Sequence, residues 1–88
     1  MATVEAIELV INRVGPLQET ENGDRYIVCE TSRGSVVFWG NDENMSNISA
    51  TRMRRAPFRV LCACTRFPTG HKYDLSVSHT SQIEFLGR

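Results

Sequence analysis

Apolar and polar residues alternate along most of this chain, with the period of two that belongs to half-buried β-strands. From Val4 to Arg13, Ile7, Leu9 and Ile11 fall on one face while Glu5 and Glu8 interrupt the other. Gly15-Pro16 bends or breaks that strand, and Leu17 to Glu21 would continue it beyond a bend. Asn22-Gly23-Asp24 is a turn signal, because Asn-Gly accepts positive φ at little cost. Arg25 to Thr31 reads as a second strand, rich in Tyr, Ile and Val. Ser32-Arg33-Gly34 turns the chain into a third strand, Ser35 to Trp39. So short a turn makes a hairpin, and the three strands together predict an antiparallel meander.

The alternation then lapses. Gly40 to Asn44 is a polar loop. Ser46 to Arg55 predicts one short helix with Asn44 or Ser46 as its N-cap. Arg52, Arg54 and Arg55 would occupy the last turn, where cations suit the helix dipole, and Met45, Ile48 and Met53 would form its apolar side. Pro57 ends it. Phe58 to Arg66 is a fourth strand, with Phe58, Val60, Cys62 and Cys64 on one face and Leu61 and Ala63 on the other, as suits a central strand. A loop opens at Phe67-Pro68-Thr69-Gly70. Lys72 to Ser78 is a fifth strand with Tyr73, Leu75 and Val77 alternating, and Gln82 to Leu86 is a terminal strand or its continuation.

Eighty-eight residues leave room for one domain, residues 1–88, with a modest core. At 41% hydrophobic and 23% charged residues the composition is that of an ordinary globular chain. No apolar run approaches the ~20 residues that span a bilayer, so no membrane role is expected. The start, with its glutamates and no basic n-region, is unlike a secretory signal and predicts a cytoplasmic protein. Net charge is zero, but residues 1–45 sum to −5 and residues 46–88 to +5. That polarity either gathers a basic patch or scatters solvated charge over two sides of the fold. The cysteines, Cys29, Cys62 and Cys64, are odd in number and argue against a disulfide framework. Cys62 and Cys64 share a face, yet a metal would need more ligands, with His71 or His79 as the only histidines to offer one. Cys-x-Cys lacks the paired knuckles of a zinc site, so all three cysteines read as buried small hydrophobes, with no metal and no cofactor.

Three strands, a short helix and two more strands in a chain of this length resemble the OB-fold, a five-stranded Greek-key barrel with one short helix between strands three and four. The run Arg25-Tyr26-Ile27-Val28-Cys29-Glu30-Thr31 followed by Gly34-Ser35-Val36-Val37-Phe38-Trp39 looks like the second and third strands of OB-fold nucleic-acid binders. The run from Phe58 through Gly70 to Val77, with Ile83 to Gly87, is similar to the fourth and fifth strands of single-stranded DNA-binding and tRNA-anticodon-binding members. The likeness spans nearly the whole chain as an order of strands and turns, not as a signature motif. The sequence departs from it in carrying Arg33 before the turn glycine and in its short second and third strands.

The resemblance implies oligonucleotide binding on the face of strands two and three, assisted by the one–two and four–five loops. Alternation offers two faces there. Tyr26, Val28 and Glu30 with Ser35, Val37 and Trp39 form the more amphipathic set and are expected outside, leaving Ile27, Cys29, Val36 and Phe38 in the core. Tyr26, Trp39 and Phe67 are the expected stacking platforms, with Trp39 equally suited to a core role. Tyr73, alternating with Leu75, reads more readily as core. Arg25, Arg33, Arg54, Arg55, Arg59, Arg66 and Lys72 are the expected phosphate contacts. Glu30 on the same face opposes phosphate. His71 and His79 adjoin no nucleophile or carboxylate constellation, and no phosphate-cradling glycine loop occurs, so catalysis is not expected. The expected partner is single-stranded DNA or RNA. The alternative is a protein-interaction module that docks a partner or another copy of itself.

Overall fold

The computed structural model describes residues 4–40, 43, 45–48 and 57–87. Among these residues six strands build one sheet: β1 (Val4–Glu19), β2 (Arg25–Thr31), β3 (Gly34–Trp39), β4 (Phe58–Arg66), β5 (Leu75–Val77) and β6 (Glu84–Gly87). Their order is β1-β2-β3-β5-β4-β6, and β1 also pairs with β4. Five strands therefore close into a ring, and β6 pairs with β4 alone. Every pairing is antiparallel except β3 with β5, which is parallel. The protein is thus mainly β, with a short helix between the third and fourth strands.

One strand makes the ring possible. Residues Val4 to Ile11 of β1 pair with β4, and Ile11 to Glu19 pair with β2. Ile11 is the shared point, opposite Phe58 on one side and Thr31 on the other. Beyond it the register slips between Ile11 and Arg13 and again between Val14 and Leu17. Each slip is an extra residue on β1, and such bulges bend and twist a strand. The first bulge also reverses the alternation: Ile7, Leu9 and Ile11 point inward, and then Val14 does. Gly15-Pro16 bends the strand without breaking it. Gly15 is required there, because a Cβ at this position would sit 2.6 Å from the Val28 carbonyl oxygen.

The inner face of the ring is apolar throughout. Leu9, Ile11, Val36, Phe38, Val60 and Val77 are fully buried, joined by Ile27, Cys29, Cys62, Cys64 and Leu75. Met45 and Ile48, three apart on the helix, complete this cluster. The helix already includes residues 43 and 45 and so begins before the expected Ser46; seating Met45 in the core requires the earlier start. Met53, Arg52, Arg54 and Arg55 lie outside the described residues.

The hairpin end of the ring is tied down by polar contacts. Ser32, in the β2–β3 turn, donates its backbone N–H to the Val10 carbonyl at 2.9 Å and accepts the Val10 N–H on Oγ at 3.1 Å. Gly34 follows at a φ of 100°, where only glycine is relaxed, and a side chain there would overlap the Asp74 carboxylate.

Strand five is shorter than its alternation predicts. Only Leu75 to Val77 pair, alongside Val36 to Phe38, and Tyr73 stays in the preceding loop, half-buried instead of in the core. Strands β5 and β6 both pair antiparallel with the same edge of β4, at Thr65–Arg66 and at Arg59–Leu61 respectively. They are one interrupted strand, separated by a turn that closes with Ser81 N–H donating to the Ser78 carbonyl at 3.0 Å.

Gly15→Ala is expected to lower the unfolding free energy by about 1–3 kcal/mol, the range for forcing a methyl into a filled space. The measurement is the urea midpoint at constant m-value, and an unchanged midpoint would mean that the bulge opens without cost.

Candidate functional site

The outer face of the β2–β3 hairpin carries three rows of side chains, two residues or about 7 Å apart along the strands. The first row is Gln18, Tyr26 and Trp39, aligned across β1, β2 and β3. The Tyr26 and Trp39 rings lie 5.0 Å apart, tilted by 43°, and both are half-buried. Tyr26 Oη donates to Gln18 Oε1 at 3.2 Å, which fixes the phenol ring. Beside Trp39 is an open depression of about 420 Å³ lined by Asp24, Arg25, Gly40 and His79. His79 arrives because β5 runs parallel to β3 and ends at the same side.

The second row is Val28 opposite Val37. Val37 points outward as alternation requires, yet it is 1% exposed, so it forms a covered floor and not a contact surface. The third row is Arg13, Glu30 and Ser35. Ser35 Oγ lies 3.2 and 3.3 Å from the two Glu30 carboxylate oxygens, to which it donates.

Asp74 couples this end of the hairpin to the β4–β5 loop. Its Oδ2 accepts the Ser35 N–H at 2.9 Å, its own N–H donates to the Ser35 carbonyl at 2.9 Å, and its carbonyl accepts the Phe67 N–H at 3.1 Å. Within the loop the Phe67 and His71 rings stack, 4.0 Å apart and 3° from parallel. Tyr73 leans against both, its ring centroid 6.4 Å from Phe67 and 6.1 Å from His71. The Tyr73 N–H donates to His71 Nδ1 at 3.1 Å, and Lys72 Nζ sits 5.4 Å from the Tyr73 ring centroid. Phe67 is therefore half-buried within a ring cluster, with His71 as the exposed member.

The expected site residues fall into separate places. Tyr26, Trp39 and Arg25 share one end of the hairpin. Phe67 and Lys72 gather at the other, where Arg33 occupies the exposed β2–β3 turn with its N–H on Thr31 Oγ1 at 3.0 Å. Arg66 ends β4 and pairs with Glu5 at 3.5 Å, and Arg59, near the start of β4, pairs with Glu8 at 3.5 Å. Both ion pairs follow from β1 lying against β4, which sets acidic residues of the first half beside basic residues of the second. Arg54 and Arg55 lie outside the described residues. Three participants were not singled out from sequence: Gln18, Ser35 as partner to Glu30, and His71 as a stacking ring. Gln18 and His71 carry no periodic signal, because a bulge and a loop place them.

The cysteines are buried and free. Burial pushes the Cys29 thiol from 9.0 up to about 12, with the nearby Glu30 charge adding to it and a backbone hydrogen bond from Gly15 opposing it. Cys62 and Cys64 hold their sulfurs 3.7 Å apart, and the hydrogen bond shared with Cys64, reinforced by burial, raises the Cys62 thiol. Among the described residues no three His, Cys, Asp or Glu side chains are grouped to hold a metal ion, and no helix is long and apolar enough to cross a membrane. No family model, curated protein or solved structure matches the chain.

The Cys29 thiol makes stability pH-dependent. Below pH 9 the thiol is protonated in both folded and unfolded chains; above it the unfolded chain loses the proton first. Stability is therefore lost as pH rises from about 9 towards about 12. Cys29→Ala is expected to flatten this part of the profile, measured by urea unfolding at a series of alkaline pH values. Parallel slopes in the two proteins would remove Cys29 as the cause.

Proposed function

We propose that the chain is an OB-type barrel that binds single-stranded nucleic acid, DNA or RNA, without catalysing a reaction, in the cytoplasm. The ring order β1-β2-β3-β5-β4, the parallel β3–β5 pair and the helix between β3 and β4 support the fold reading. The observation that carries the function is the Tyr26–Trp39 pair, half-exposed on the outer face of β2 and β3 beside Arg25. Every base has a π-face, so such a pair holds a base by stacking whatever its identity. Gln18 fixes Tyr26 in advance, which lowers the ordering cost of binding. The Phe67–His71 stack at the far end of β3 supplies a second platform on the same path, with Lys72 and Arg33 for phosphates. Arg59 and Arg66 contribute less, since each already faces a glutamate.

A second reading has its own observation. A hollow of about 490 Å³ on the outside of β4 is lined by Ala6, Leu61, Ala63 and Ile83 among others. Those apolar groups suit a protein partner or a second copy of the chain. Concentration-dependent sedimentation in the absence of nucleic acid would favour it.

Single-stranded oligonucleotides are expected to quench Trp39 fluorescence at low salt, and the absence of quenching with every DNA and RNA strand would sink the proposal. By anisotropy of a labelled strand, Trp39→Ala is expected to cost about 1–3 kcal/mol of binding. Arg33→Ala should reduce the salt slope by about one, and Arg59→Ala should leave it nearly unchanged.

A further inference from the structure

The third row of the hairpin face is the least expected part of a nucleic-acid platform, because a carboxylate there repels the backbone. Glu30 is exposed on the outer face, in line with Tyr26 and separated from it by four residues, roughly 13 Å of extended strand. That distance is about four stacked nucleotides at ~3.4 Å each, fewer if the strand is stretched. A strand seated on Tyr26 and Trp39 and running towards the Phe67–His71 stack therefore passes Glu30. Phosphates avoid it, so what faces it is a base edge.

Both Glu30 oxygens are held by one hydroxyl, Ser35 Oγ, at 3.2 and 3.3 Å. Ser35 is itself fixed through its backbone to Asp74 on both its N–H and its carbonyl. The carboxylate is thus oriented before any ligand arrives. An ionised carboxylate only accepts hydrogen bonds, and it has about four lone-pair sites, of which the shared serine proton occupies a part. The ligand edge that fits must present donors, and two side by side fit best, as a guanidinium fork does. Among the common bases only guanine has two adjacent N–H donors, N1–H and the N2 amino group, on its Watson–Crick edge. Cytosine and adenine each offer one amino donor beside an acceptor, which a carboxylate repels. Uracil and thymine set their single N–H between two carbonyls.

We infer that Glu30, held by Ser35, is a base-reading residue that selects guanine within the bound single strand. The inference rests on the nucleic-acid reading above and adds to it a preference that stacking alone does not supply. Specificity here comes partly from rejection, since the fixed charge disfavours every edge that presents an acceptor at this point.

The test is anisotropy titration of the full chain with labelled oligothymidylates of about ten nucleotides, each carrying one central guanine, hypoxanthine, adenine or cytosine. Guanine is expected to bind roughly tenfold tighter than adenine or cytosine, the scale of one good bidentate base contact. Hypoxanthine keeps N1–H but lacks the amino group and should fall between; its similar ring separates edge reading from stacking. Glu30→Gln should bring the four strands within about twofold of one another while plain oligothymidylate binds as well as before or better. Ser35→Ala, which frees the carboxylate without removing it, should shrink the preference. Equal binding of the four strands by the unaltered protein would overturn the inference and leave the nucleic-acid reading standing, as would a guanine preference that survives Glu30→Gln. Failure of every strand to bind would overturn both.

Discussion

The structure depends on β1 serving two neighbours at once. A closed ring leaves no free edge, and here it is β1 that closes it, passing at Ile11 from β4 to β2. A flat strand has no such geometry available. The bulges after Ile11 and Val14 supply the bend, and Gly15 lets the bent strand lie against the Val28 carbonyl. The core follows from this turn: the inward residues Ile7, Leu9 and Ile11 would be followed by Arg13 if the alternation ran on, and the extra residue brings Val14 inward in its place.

The same junction governs the charge. The acidic first half and basic second half of the chain are distant in sequence but meet in space where Val4 to Ile11 of β1 pair with β4. Glu8 meets Arg59 and Glu5 meets Arg66 across that ladder. These pairs are exposed and each adds little to stability. Their effect is local: each sets a cation of β4 beside a carboxylate of β1.

Much of the ring was readable from alternation alone. The bounds of β2 and β4, the inward set Ile27, Cys29, Val36 and Phe38, and the turn at Gly23 all follow from period and turn chemistry. What escaped was whatever depends on distant partners. Tyr73 has the spacing of a strand residue, but β3 offers pairing only from Leu75 onward, and the ring cluster with Phe67 and His71 holds Tyr73 in the loop. Arg59 and Arg66 look like free cations until β1 is laid beside them. The opposite placement of the Tyr26–Trp39 pair and the Phe67 loop follows from the parallel β3–β5 pairing, which leaves no local mark in the chain. The helix start shifted for a similar reason, since Met45 is claimed by a core that local capping signals do not describe.

The β1–β4 ladder also bears on how the chain reaches this state. Val4 pairs with Thr65, across roughly two-thirds of the chain, so the ring's closing contacts are among its most non-local. Contacts of that kind carry a large loop-closure cost and slow folding to the millisecond-to-second range typical of β-rich domains. The meander of β1, β2 and β3 forms from near neighbours, but the inner side of β1 has no cover until β4 is made. During synthesis the first half of the protein therefore waits, with its apolar strand open, for residues that leave the ribosome much later.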